Sequence, residues 1–140
     1  MRKVVKAIIY KNNKYLLQLR DNKDTIFYPN QWCFFGGESE VDENTETTLR
    51  REVKEELTWE PNHFIFFTKG SDLHTNCLIF YYLVYFNTSF KKLILNEGQE
   101  MCWFSIDQIQ KLVTTPINMY KFLKTHKLQK MILSNKLENN

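Results

Sequence analysis

The stretch from Gly36 to Trp59, GGESEVDENTETTLRREVKEELTW, commits part of the chain to a helix with two unlike faces. Leu49, Val53 and Leu57 recur every four residues and make an apolar stripe, with Asn44 or Thr45 available as N-cap. The spacing predicts a helix over Thr45 to Leu57, with Pro61 marking its end. Glu52, Glu55 and Glu56 fall at i, i+3 and i+4, which gathers three carboxylates on one face, opposite in tendency to Leu49 and Leu57. On an exposed face water screens such charges, and the pattern is ordinary surface. Inside a cleft they need cations, and hard oxygen ligands select Mg²⁺ or Mn²⁺ over zinc. A phosphate-bearing substrate is the natural guest of such a site.

Around this helix the chain predicts mostly strands. Val4 to Tyr10 and Tyr15 to Leu19 are apolar runs joined by Lys11-Asn12-Asn13-Lys14, a hairpin turn in which asparagine takes positive φ. Asp21 to Asn30 is a polar loop, followed by a short buried strand, Trp32 to Phe35, that runs into Gly36-Gly37. Phe64 to Thr68 and Cys77 to Phe86 predict two further strands, separated by Gly70-Ser71-Asp72. Met101 to Phe104 predicts another, with Ser105 capping a short helix from Ile106 to Leu112. Pro116 opens a last helix to about Leu133, and the tail from 134 to 140 is expected to fray.

At 140 residues the chain is expected to form one domain, with 43% hydrophobic and 25% charged residues excluding disorder away from the ends. Cys33, Cys77 and Cys102 are odd in number and lack C-x-x-C spacing, which argues against a disulfide framework or a zinc site and for a reducing, cytoplasmic setting. No apolar run is long enough for a secretory signal or a membrane span. Five lysines against Glu138 make the last twenty residues basic. A solvated helix face explains them, and contact with RNA phosphates is the alternative.

Gly37, Glu43, Arg51, Glu52, Val53, Glu55, Glu56 and Trp59 stand in the register G-x5-E-x7-R-E-(apolar)-x-E-E-x-G-(apolar), which resembles the Nudix box of the Nudix hydrolases. Thr58 occupies the position where the box usually has glycine, a helix-ending residue in a turn conformation. The resemblance implies an α/β (α+β) fold in which a mixed sheet is sandwiched between helices, and a reaction, metal-assisted hydrolysis of a nucleoside diphosphate linked to another group. It implies Glu52, Glu55 and Glu56 as metal ligands, the Gly37 carbonyl as a further one, and Arg51 with Glu43 as a salt-bridged brace. Asn96-Glu97-Gly98-Gln99 and Trp103-Phe104-Ser105 resemble the E-G-Q and W-x-S segments of the MutT-like branch, which removes oxidised guanine nucleotides. Glu97 then matches a loop glutamate that approaches the metals, and Asn118, fifteen residues after Trp103, an asparagine that hydrogen-bonds the purine.

The resemblance implies Glu52 or Glu97 as the general base. Trp32, Phe34 and Phe80 are candidates to line a base pocket, because aromatic rings stack on any nucleobase, although strand positions equally suit them to the core. The expected activity is Mg²⁺-dependent cleavage of a nucleoside triphosphate to monophosphate and pyrophosphate, an oxidised purine dNTP included. Nucleotide-sugar or dinucleotide pyrophosphatase, RNA 5′-end pyrophosphohydrolase and a non-catalytic nucleotide-binding module are the rivals.

Overall fold

In the computed structural model, which describes residues 1–114 and 117–135, the chain folds around β1 (Arg2–Lys11). The remaining strands are β2 (Lys14–Leu19), β3 (Trp32–Cys33), β4 (Phe35–Glu38), β5 (Phe64–Asp72), β6 (Cys77–Tyr85) and β7 (Glu100–Phe104). The helices are α1 (Thr45–Leu57), α2 (Ile106–Ile109), α3 (Met119–Leu123) and α4 (His126–Asn135). Asn12 and Asn13 both take positive φ, 51° and 61°, so the β1–β2 hairpin turns as its asparagines predict.

The seven strands form one mixed sheet. Its path is β3-β2-β1-β6-β5, with β4 also on β1 and β7 also on β2. The β1–β2 ladder holds only at the turn, where Tyr10 faces Tyr15 and Lys11 faces Lys14. Beyond it the two strands part: β1 pairs antiparallel with β4 and parallel with β6, while β2 pairs with β3 and β7. This divergence breaks the expected continuous strand Trp32 to Phe35 at Phe34, because its two halves serve different partners.

Alternation along β1 sends its side chains into two cores. Val5, Ala7 and Ile9 pack with Leu16 and Phe35 against Leu49, Val53 and Leu57 of α1. Ile8 and Tyr10 pack on the other face with Leu17, Phe34 and Tyr81 against Ile109, Met119, Leu123 and Leu128 of α2 to α4. The mixed sheet is thus sandwiched between helices. At roughly 1.5–3 kcal/mol for each buried large aliphatic side chain, both cores are needed to offset the entropy of ordering the chain.

Three local expectations change. Gly70-Ser71-Asp72 lies within β5 and pairs with Ile79, Leu78 and Cys77, so cross-strand hydrogen bonding overrides the glycine and the turn falls after Asp72. α2 ends at Ile109, and tighter i→i+3 bonds from Lys111 and Leu112 carry the chain on. The expected last helix divides at Lys124 and Thr125, where the Gln129 side chain donates to the Leu123 carbonyl at 2.7 Å and closes α3. Its expected start at Pro116, and the end of the tail, lie outside the described residues. The three cysteines are free, Cys33 and Cys77 buried and Cys102 exposed, and no described helix is long and apolar enough to cross a membrane.

Candidate active site

The N-terminus of α1 is fixed by Asn44, whose side chain accepts from the Thr47 amide at 2.9 Å. At its other end Thr58 takes the left-handed conformation, φ 59° and ψ 29°, and its amide donates to the Lys54 carbonyl. The helix therefore exits as glycine would make it, at a conformational cost of roughly 1–2 kcal/mol for a residue with a Cβ.

Between these ends the three carboxylates differ sharply in environment. Glu55 is exposed, Glu52 is 17% exposed at its side chain, and Glu56 is 2% exposed. Glu56 shares the buried face of α1 with Leu49, Val53 and Leu57, so the carboxylates straddle the helix edge and do not lie opposite the apolar stripe. Position 56 is seven residues from Leu49 and three from Val53, which a 3.6-residue repeat places on that side.

Glu56 is paired on both oxygens. Oε1 accepts from the Gly36 amide at 2.8 Å, and Oε2 accepts from Gln18 Nε2 at 2.9 Å. Burial is the main reason its affinity for a proton rises well above the ordinary carboxylate range, and the charge of Glu97 adds to it. Burial also raises Glu52, opposed by Arg51 and reinforced by Glu55 and Glu97. Glu97 thus belongs electrostatically to the same cluster, from a loop more than forty residues downstream.

Arg51 holds the cluster to the preceding loop. Its guanidinium donates from Nε and Nη2 to both oxygens of Glu43 at 2.8 Å, from Nη1 to Glu52 Oε1 at 2.8 Å, and from Nη2 to the Glu38 carbonyl at 3.1 Å. Thr48 donates to Glu43 as well, at 2.7 Å. Together they pull the Glu43 carboxyl down to about 2. Such a bidentate pair fixes geometry as well as charge.

Gly37 lies flush against Glu52, and a Cβ there would overlap the Glu52 carboxyl group. The Gly36 position is tighter still, with φ 142° and the Val5 carbonyl where a Cβ would stand. On the far side Gly98, φ 86°, abuts the Gln18 side chain and the Leu19 carbonyl. Gln99 bonds the Leu19 carbonyl through its amide at 2.8 Å and Arg20 O and Asn30 Oδ1 through its side chain. Asn96 completes the mooring of this loop, bonding the Glu56 carbonyl through its amide and the Glu55 carbonyl and Thr58 Oγ1 through its side chain.

Gln18 and Asn96 are neighbours of the acid helix to which the sequence assigns no role. The first could have been found as the one polar residue inside the apolar run Tyr-Leu-Leu-Gln-Leu. The aromatic candidates lie in different surroundings. Phe34 is buried among Tyr81 and Phe122, Trp32 stacks edge-on to Phe104, and Phe80 packs with the α1 core on the opposite face. Asn118 is the N-cap of α3, its Oδ1 accepting from the Lys121 amide at 3.1 Å. In the basic C-terminal segment, Lys124 bonds Tyr120 Oη and Lys127 bonds the Phe67 carbonyl.

Among the described residues no three acidic, thiol or imidazole groups converge as a finished metal cage. The donor set nevertheless fits a hard divalent cation: it is all oxygen, two members are desolvated, and like charges raise both. A separate cavity of about 120 Å³ opens on the other face of the sheet, lined by Arg2, Lys6, Arg20, Phe27, Tyr28 and Ile79 among others. Lys6 faces Gly36 across the β1–β4 ladder, so this cavity and the carboxylates flank the same glycine strand.

A glutamate helix braced by an internal arginine and packed under a Gly-Gly strand defines a loop–helix–loop acid site. The NUDIX domain family model matches residues 1–125, and the chain belongs to that family. It is accordingly a hydrolase acting on diphosphate bonds, of a family that generally uses divalent metal ions. Over 130 residues it is 28% identical to the 8-oxo-dGTP diphosphatase of Buchnera aphidicola subsp. Schizaphis graminum, spanning 92% of this chain and 93% of that one. Its fold is similar to the E. coli ORF135 protein (TM-score 0.69, 23% identity, 97% and 93% of the two chains). It is also similar to a MutT NUDIX hydrolase from Burkholderia pseudomallei (TM-score 0.72, 18% identity, 89% and 98%).

Proposed function

We propose that the protein is a Mg²⁺-dependent nucleoside triphosphate pyrophosphohydrolase, releasing monophosphate and pyrophosphate, with oxidised purine deoxynucleotides as the first substrates to test. The observation that carries this reading is the buried Glu56 carboxylate, held by Gln18 and Gly36 beside Glu52 and within the field of Glu97. The resemblance to a named 8-oxo-dGTP diphosphatase supports the choice of base.

In this reading Glu52, Glu55, Glu56, Glu97 and the Gly37 carbonyl would hold the metal, and Mn²⁺ would substitute for Mg²⁺. A divalent ion supplies positive charge to the phosphate oxygens and makes a water easier to deprotonate. Glu52 or Glu97 accepts the proton from the attacking water. The water oxygen bonds to phosphorus, the phosphoanhydride bond breaks, and pyrophosphate leaves with its electron pair. Arg51 and Glu43 keep Glu52 in place. Arg20, Lys6 and the Phe27 and Tyr28 rings would receive only the base of the nucleotide in the cavity across the sheet, whose volume of about 120 Å³ is too small for the whole molecule. Asn118 and Trp32 would join them only if the ligand reached beyond that cavity, whereas Phe34 is buried in the core and Phe80 packs on the opposite face of the sheet.

A panel of nucleoside triphosphates, oxidised dNTPs, nucleotide sugars and dinucleotides with Mg²⁺ tests the proposal. Pyrophosphate from a triphosphate supports it, and sugar phosphate as the dominant product overturns it in favour of a nucleotide-sugar enzyme. Glu55→Gln without loss of turnover would remove the metal assignment.

A further inference from the structure

Lys11 and Lys14 face each other directly across the β1–β2 hairpin. Like charges in that position oppose strand pairing. Neither lysine has an ion-pair partner among the described residues. Alternation explains why they stand together: Lys11 continues the face of Val5, Ala7 and Ile9, and Lys14 that of Leu16.

Both line a cavity of about 430 Å³ whose other walls are Asn12, Phe86, Thr88, Ser89, Phe90 and Trp103. That volume is within the range of small-molecule sites. No acidic residue lines it, and the following turn adds Lys91 and Lys92. The Ser89 side chain makes no capping bond, and that of Thr88 makes none among the described residues, which leaves two hydroxyls beside two ammonium groups. Trp103 is partly exposed and Phe90 is 43% exposed, so ring surface is open at the same place. Charge, hydroxyl donors and flat apolar surface meet here without a protein partner.

We propose that this cavity is a second ligand site, for a phosphorylated small molecule with a planar ring, of the nucleoside monophosphate class. The phosphate sits between Lys11 and Lys14 and takes hydrogen bonds from Thr88 and Ser89; the ring lies on Trp103 and Phe90. The site is distinct from the carboxylate cluster. Lys11 is five residues along β1 from Lys6, roughly 16 Å at strand rise. It rests on no part of the catalytic assignment. The segment that forms its wall, residues 86 to 92, runs directly on to Asn96 and Glu97, so occupancy would be felt in the loop moored to α1.

The test is a titration of ¹⁵N-labelled full chain with GMP, without divalent metal, followed residue by residue. Saturable shifts are expected at the Trp103 indole and the Ser89 and Phe90 amides, with guanosine and inorganic phosphate each binding at least about tenfold more weakly than GMP, as loss of one half of the contacts requires. Lys11→Ala/Lys14→Ala should weaken the Trp103 response about tenfold or more and leave shifts around Gly36 and Tyr28 unchanged. Lys14→Glu should abolish binding here and raise the Tm of the free protein, because it turns a repelling cross-strand pair into an attracting one. Shifts confined to Gly36 and Tyr28, a Trp103 response indifferent to both lysine substitutions, or equal binding of phosphate alone would overturn the proposal.

Discussion

Two neighbouring glycines have opposite jobs, and substitution separates them. At Gly37 an added Cβ meets the end of the flexible Glu52 side chain, whereas at Gly36 it meets the Val5 backbone at a φ that side chains avoid. Gly37→Ala should leave the Tm close to that of the parent and lower kcat about 10–100-fold by moving a carboxylate. Gly36→Ala should cost about 1–3 kcal/mol of stability. Thermal melts and kinetics on the pair check both, and a fully active Gly37→Ala protein would remove Glu52 from the reaction. Glu43 makes a different kind of contribution. Its folded pKa of about 2 lies below the ordinary 4.5, so its stabilisation is complete above about 4.5 and is lost as the pH falls through about 2. Urea midpoints measured between pH 5 and 2 should fall less steeply for Glu43→Gln than for the parent, so the gap between the two proteins is greatest near pH 5 and closes toward pH 2.

At the scale of elements, the end of α1 and the Glu97 loop stabilise each other. Asn96 satisfies carbonyls that the last turn leaves open and also bonds the hydroxyl of Thr58, the residue that carries the strained exit. Asn96→Ala should cost about 1 kcal/mol. Thr58→Gly relieves roughly 1 kcal/mol of left-handed strain but gives up the bond to Asn96, so its net effect in the parent is small. In the Asn96→Ala background the same glycine should be clearly stabilising. Denaturant unfolding of the four proteins supplies the cycle, and strict additivity would mean the two side chains do not cooperate.

The same elements show what a sequence discloses about structure. Both ends of α1 were legible because a cap and an apolar repeat are local signals. The length of β5 was not, because pairing with a strand distant in sequence overrules Gly70. Nor was the division between α3 and α4, made by a side-chain bond from Gln129 with no glycine or proline to mark it. The acid residues were legible by spacing, but not their burial, nor the support Glu56 draws from Gln18 on a strand thirty-eight residues away.

For the whole molecule, the cluster of Glu52, Glu55, Glu56 and Glu97 stores repulsion that a bound cation would relieve. Mg²⁺ at about a hundred times its Kd should stabilise the fold by about 2.7 kcal/mol, and this gain should vanish in Glu56→Gln. A Tm insensitive to Mg²⁺ in the parent would contradict the metal assignment. The two cores on either face of β1 have a further consequence. The acid helix rests on one of them, and the cavity lined by Arg20, Phe27 and Tyr28 opens over the other. In the proposed reading bond breaking and substrate choice are therefore mounted on separate foundations, joined through the strand of Gly36 and through Gln99, which ties the Glu97 loop to Arg20. A library restricted to the cavity side can be screened for new nucleotides without passing each variant through a test of the acid site, and drift on that side over generations would change what is cleaved long before it changed how.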